Sequence, residues 1–243
     1  MENLAKEKLI VALDVDKKEH VIDLVNKLVK WVGMFKVGAR LFSKYGPSII
    51  EIIRKRGGKV FFDAKFYDIP SVVEQTAKSV SEMGISMVTI HTLGGYEMMA
   101  RYKKAVERFD GDIKVLGVTI LTSLTNQELV EMGIERDVEE EVLLLAKLAK
   151  KAGLDGVVSS AWEIDALRKT FGPDFLLVVP GIRSKGKVLK IKNDEQRRTL
   201  TGKEAVKKGA DFLVVGRPII QAKDPVKAAK EILKEIEEAM SEG

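Results

Sequence analysis

The chain has 243 residues, enough to bury a substantial core, with 45% hydrophobic and 32% charged residues, as in ordinary globular proteins. It has no cysteine, which excludes disulfides and thiolate metal sites, and its only two histidines, His20 and His91, lie too far apart in sequence to suggest a histidine-held metal. The formal net charge is +5, but lysines alternate with glutamates through stretches such as Lys227 to Glu238, so the excess is diffuse and gives no reason to expect a nucleic-acid partner.

The first eight residues are too charged for a secretion signal, and no apolar run approaches the ~20 residues needed to span a bilayer, so a cytoplasmic protein without a membrane partner is expected. A first strand is expected at 8–13, then a helix at 19–30 with Val21, Ile22, Leu24, Val25 and Leu28 on one stripe. The pattern repeats: strand 34–37 and helix 41–56, strand 59–62 and helix 72–83, strand 86–90 and helix 97–108. It continues with strand 114–120 and helix 139–151, strand 156–158 and helix 164–171, strand 175–179 and helix 204–208, strand 212–215 and helix 225–240. Several strands are nearly continuous apolar runs, the signature of a parallel sheet covered on both faces.

Eight strands, each followed by a helix and with no Pro/Gly/Ser linker, predict one α/β domain over residues 1–243, a single (β/α)8 TIM barrel. An open doubly wound sheet is the competitor, but no Gly-x-Gly-x-x-Gly turn follows the first strand. Two longer irregular segments, 121–138 and 183–201, follow strands five and seven and would emerge at the C-terminal face, where barrel active sites are built.

Charged residues collect at the same face. The third strand runs into Asp63-Ala64-Lys65, and residues two apart on a strand share a side, so Asp63 and Lys65 are expected to point together. Read alone they could be an ion pair at the barrel mouth, with Asp68 capping the next helix ahead of Pro70. However, Asp14 ends the first strand and Lys36 sits inside the second. Such groups are costly to desolvate, so an array of Asp14, Lys36, Asp63, Lys65 and Asp68 favours function over packing. Strands seven and eight end in Pro180-Gly181-Ile182-Arg183 and Gly216-Arg217-Pro218, where barrels often bind phosphate.

These residues resemble the bacterial-type members of the orotidylate decarboxylase family. The family pattern Asp-x-Lys-x-x-Asp-Ile-Pro is met by Asp63, Lys65, Asp68, Ile69 and Pro70. Leu13-Asp14, Lys36-Val37-Gly38, Leu121-Thr122-Ser123, Pro180-Gly181-Ile182-Arg183 and Gly216-Arg217-Pro218-Ile219 match further signatures in order. Gln196 and Arg198 match an Asp-Gln-x-Arg element in which Glu195 replaces the aspartate, and Ser71-Val72 replaces the usual Asn-Thr. The resemblance implies a lyase of pyrimidine biosynthesis that converts orotidine 5′-monophosphate to UMP and CO₂ with no cofactor and no metal. It implies that Lys65 protonates C6, flanked by Asp63 and Asp68, with Lys36 tying the array together. Asp14 and Lys36 would contact the ribose, Thr122 the pyrimidine, and Gln196, Gly216 and Arg217 the phosphate, with Arg183 nearby. Asp68 would reach into a neighbouring subunit's site, making the active unit a homodimer.

The chemistry suits these residue types. Loss of CO₂ from C6 leaves a carbanion that the pyrimidine π system cannot delocalise, so fixed charge and a proton must come from the protein. Two alternatives remain. Mg²⁺-enediolate relatives, the ketogulonate-phosphate decarboxylases and hexulose-phosphate synthases, share Asp-x-Lys-x-x-Asp but follow it with Ala-Gly and carry an acid on the second strand, where this chain has Ile69-Pro70 and Lys36. A non-catalytic phosphate-binding barrel would need only Gly216, Arg217 and Gln196.

Overall fold

The computed structural model describes residues 2–109, 111–183 and 199–242. The chain begins with α1 (Glu2–Lys8), β1 (Leu9–Ala12), α2 (Lys18–Leu28), β2 (Met34–Gly38), α3 (Ala39–Tyr45), α4 (Ser48–Arg54) and β3 (Lys59–Phe66). Next come α5 (Pro70–Glu82), β4 (Met87–His91), α6 (Gly95–Phe109), β5 (Lys114–Val118), α7 (Asn126–Glu131), α8 (Val138–Lys151) and β6 (Gly156–Val158). The remainder is α9 (Ile164–Phe171), β7 (Leu176–Pro180), α10 (Gly202–Lys208), β8 (Phe212–Val215), α11 (Arg217–Ile220) and α12 (Pro225–Ser241). The strands pair in parallel in sequence order and close through β1 and β8, which makes the sheet a (β/α)8 barrel. Among the described residues, no helix is long and apolar enough to cross a membrane.

Strand parity divides the apolar residues between two cores. Ile10, Ala12, Met34, Phe61, Met87, Leu116, Val178 and Val214 fill the barrel. Their outward neighbours, such as Leu9, Val11, Phe35, Val60, Val88 and Val115, pack under the helices. This two-sided burial is why the strands read as apolar runs. It also places the next inward residues, Asp14 after Ala12, Lys36 after Met34 and Asp63 after Phe61, in a layer above the interior core.

Most element ends lie within two residues of expectation, but five features differ. The helix expected over 41–56 is broken into α3 and α4 at Gly46, which adopts φ 58°, and Pro47 follows at the start of α4. The charged start of the chain forms α1, and the irregular stretch after β5 contains α7. That helix opens with a capping box: Thr125 Oγ1 accepts from Glu128 N–H and Glu128 Oε2 accepts from Thr125 N–H, the Thr-x-x-Glu spacing that was legible in the sequence. Finally, β3 continues to Phe66, so Asp63 and Lys65 are strand residues and do not lie beyond the strand. Asp68 does not cap α5, because Ile69 holds the N-cap position and Asp68 Oδ1 accepts the N–H of Ile69.

At the opposite end of the barrel, two carboxylates tie strands to the helix layer. Asp155, just before β6, accepts from Lys103 Nζ at 2.6 Å and from Val115 N–H at 2.8 Å. Asp211, just before β8, takes the same role with Arg168 and with Leu177 N–H at 2.8 Å. The Lys103 side chain is only 9% exposed, so Asp155→Ala strands an ammonium that retains Glu107 at 3.3 Å as its ion-pair partner. The expected loss is about 3 kcal/mol, at the low end for breaking a buried pair. A urea unfolding midpoint unchanged in Asp155→Ala would contradict this.

Candidate active site

The C-terminal ends of the strands surround a cavity of ≈ 330 Å³. Asp14, Lys36, Asp63, Lys65, Thr122, Arg183, Gly216 and Arg217, all singled out in the sequence, line it. Its floor is apolar, made in part by Phe61, Ile120, Val158 and Val214. Among the described lining residues, four are cationic and two are anionic, a balance suited to a ligand with more than one negative charge.

Asp63 is the hub of the charge array. Its Oδ2 lies 2.7 Å from Lys65 Nζ and 3.2 Å from Lys36 Nζ, so one oxygen takes both ammonium groups. Lys36 Nζ is also 3.9 Å from Asp14 Oδ1. Side-chain exposure rises from 11% at Asp63 and 14% at Lys36 to 39% at Lys65 and 46% at Asp14. The inner pair is therefore structural in depth, while Lys65 and Asp14 present charge to the cavity.

Burial by itself would disfavour both inner charges. At Asp63 that penalty is outweighed by Lys36 and Lys65, and its carboxyl titrates below the ordinary aspartate value. At Lys36 burial is outweighed by Asp63 and Asp14, and the ammonium titrates above the ordinary lysine value. Asp63 is consequently ionised and Lys36 protonated at neutral pH. His91 responds in the opposite sense: burial, reinforced by the charge of Lys65, lowers its pKa, and the neutral ring accepts Leu93 N–H at Nδ1.

The backbone at Lys65 is unusual. Among described non-glycine residues it alone has positive φ, at 50°, a conformation that costs an L-residue roughly 1–2 kcal/mol. It falls where the β3–β4 ladder loses register, between Phe62 and Phe66. Thr89, fully buried on β4, meets this irregularity: its hydroxyl donates to Asp63 Oδ1 at 3.0 Å and accepts Lys65 N–H at 2.9 Å. Thr89 was not picked out from the sequence. The signal was available, since it is a polar residue two positions after inward-facing Met87, between Val88 and Ile90.

The other predicted residues fall in different places. Gly181, with φ 81°, makes the turn between Pro180 and Ile182 that carries Arg183 to the cavity rim. A Cβ at Gly216 would meet Ala12 Cβ at 3.6 Å and Asp14 Oδ2 at 4.0 Å, both ordinary contacts, so packing does not demand glycine there. Its lack of a side chain instead leaves backbone open to the cavity. Asp68 is not among the cavity-lining residues. It is exposed and, with Tyr67, Ile69, Pro70, Leu93 and Gly94, borders a separate shallow depression. Gln196 and Arg198, with the neighbouring lysines, lie outside the described residues.

Comparison with known proteins converges on one family. Residues 7–232 match the model of the "Orotidine 5'-phosphate decarboxylase / HUMPS family". The chain is similar to the orotidine 5'-phosphate decarboxylase of Trichlorobacter lovleyi, with 47% identity over 96% of each chain. It is 48% identical to that of Geobacter sulfurreducens, over 96% of this chain and 97% of that one. The crystal structure of the Lactobacillus acidophilus orotidine 5'-phosphate decarboxylase superposes with a TM-score of 0.79 at 37% identity, covering 94% of this chain and 98% of the other.

Proposed function

The chain belongs to the orotidine 5'-phosphate decarboxylase / HUMPS family, and from that premise we propose that Lys65 is the group that stabilises and protonates C6. The reaction is decarboxylation of orotidine 5'-phosphate to UMP and CO₂, a step of pyrimidine biosynthesis. The C6–carboxylate bond breaks, its electron pair stays on C6, and CO₂ leaves. A proton from Lys65 Nζ then completes UMP, and solvent returns a proton to the amine.

The observation that carries this reading is the Lys36–Asp63–Lys65 array, with Lys65 the ammonium closer to the open cavity. Asp63 holds Lys65 by its ammonium, so the charge is preorganised where negative charge develops and little reorganisation is needed during reaction. Lys36, held by both Asp63 and Asp14, balances the array. Without it, two carboxylates would face the substrate carboxylate with one ammonium between them.

Substrate placement follows the charges and the resemblance. Arg217 and the open backbone at Gly216 would take the phosphate, with Arg183 at the rim and Gln196 as a further ligand. Thr122 would face the pyrimidine, and Asp14 and Lys36 the ribose. Binding energy gathered at the phosphate can order the site around the reacting carbon.

No metal or cofactor is required by this scheme. A Mg²⁺-enediolate chemistry is disfavoured by the Lys36 ammonium, which occupies the space between Asp14 and Asp63 that a cation would need. Purified protein is expected to consume orotidylate, followed by ultraviolet absorbance, equally well in EDTA and in Mg²⁺. Activity that vanishes in EDTA and returns with Mg²⁺ would move the chain to the metal-dependent branch of the family.

The active unit in this reading is a homodimer. Tyr67 and Ile69 are 63% and 62% exposed beside Asp68, an apolar concentration at the foot of the β3–α5 turn. A second copy covering it would carry Asp68 toward its partner's Lys65, which explains why Asp68 stands outside its own cavity.

A further inference from the structure

Accepting Lys65 as the proton donor, we infer that Thr89 is its positioning residue: the Thr89 hydroxyl holds both the backbone of Lys65 and the carboxylate that grips its ammonium. The ladder between β3 and β4 is irregular opposite Thr89. Phe62 pairs with Val88 and Phe66 pairs with Ile90, so three residues of β3, 63 to 65, stand opposite the single residue Thr89. The bulge takes Lys65 into positive φ and denies its N–H a regular ladder carbonyl. Thr89 Oγ1 accepts that N–H at 2.9 Å, while its proton goes to Asp63 Oδ1 at 3.0 Å.

One hydroxyl thus fixes Lys65 at two places. It anchors the backbone directly, and it orients Asp63 so that Oδ2 meets Lys65 Nζ at 2.7 Å. Thr89 is fully buried and does not line the cavity, so it reaches substrate only through these two residues. The role needs a group that both donates and accepts at one point. Valine has the same shape and can do neither, whereas serine retains both.

Misplacing a reacting group by about 1 Å costs on the order of 10²-fold in rate. Thr89→Val is therefore expected to lower kcat about 10²-fold. The dissociation constant for UMP should stay within about threefold, because the phosphate contacts lie elsewhere in the cavity and Lys36 keeps Asp14 and Asp63 as partners. Thr89→Ser should return kcat to within about threefold of wild type. These variants are assayed beside Lys65→Ala. If Lys65→Ala is inactive while Thr89→Val keeps wild-type kcat, the positioning role is wrong and the role of Lys65 stands. If Thr89→Val loses UMP binding and Thr89→Ser is equally slow, Thr89 is a folding element and the inference is overturned. If Lys65→Ala itself keeps wild-type kcat, the assignment of Lys65 fails and takes this inference with it.

Discussion

Lys65→Ala is expected to lower kcat for orotidylate decarboxylation by about 10⁴-fold or more. A positioned general acid contributes about 10²–10⁴-fold and a preorganised charge about 10²–10³-fold, and in the proposed mechanism one ammonium supplies both. The two effects are not independent, so their product is an upper bound on the loss. The fold should tolerate the change. The Lys65 side chain is 39% exposed, and Asp63 keeps Lys36 at 3.2 Å, so no buried carboxylate is orphaned. UMP affinity should hold within about tenfold, since the phosphate end of the cavity is untouched. Single-turnover absorbance measurements with a UMP titration on the same sample separate these quantities. A kcat within tenfold of wild type would remove Lys65 from the centre of the reaction.

The second large effect comes from mixing two inactive variants. In the proposed homodimer, Asp68→Ala is expected to lose at least about 10²-fold in kcat, because the partner site would lose a carboxylate beside its lysine. Lys65→Ala is expected to be inactive for the reason above. In a mixed dimer, one site has both changes, and the other has Lys65 from one subunit and Asp68 from its partner, both intact. Random exchange at equal amounts places roughly a quarter of all sites in that restored class, so activity should recover to about a quarter of wild type. Differently tagged subunits that co-purify yet show no recovery would show that Asp68 acts within its own chain or not at all. The exposed position of Asp68 beside Tyr67 and Ile69, outside its own cavity, is what makes recovery the expected outcome.

Both results depend on how firmly the array is held, and that firmness is electrostatic and steric together. Asp63 is ionised because two lysines overcome its burial, and Lys36 is protonated because two carboxylates overcome its own. Each inner charge therefore rests on two partners, and loss of one leaves the other. The fold is therefore expected to tolerate substitution at the exposed edge of the array, Lys65 and Asp14, better than at its buried centre, Asp63 and Lys36.

The sequence by itself determined whatever is set within a single strand, helix or turn. Parity along a strand follows from covalent geometry, so Ile10-Ala12-Asp14, Met34-Lys36 and Phe61-Asp63 could each be read as apolar positions leading to a charge on the same side. Gly46-Pro47 and Thr125-x-x-Glu128 were equally local signals, although the expectation passed over both. What tertiary structure alone decided is which of these positions meet. Asp63 and Thr89 are 26 residues apart, and their contact exists because β3 and β4 pair with a bulge opposite Thr89. The same bulge gives Lys65 its positive φ, against the preference of an L-residue, and turns its N–H toward a hydroxyl. Asp68 was legible as part of a motif, yet its distance from its own cavity follows from where the β3–α5 turn leaves the barrel. Local patterns specify what each segment presents; closure of the barrel specifies what it faces, because contacts between distant segments depend on register and packing that no single segment encodes.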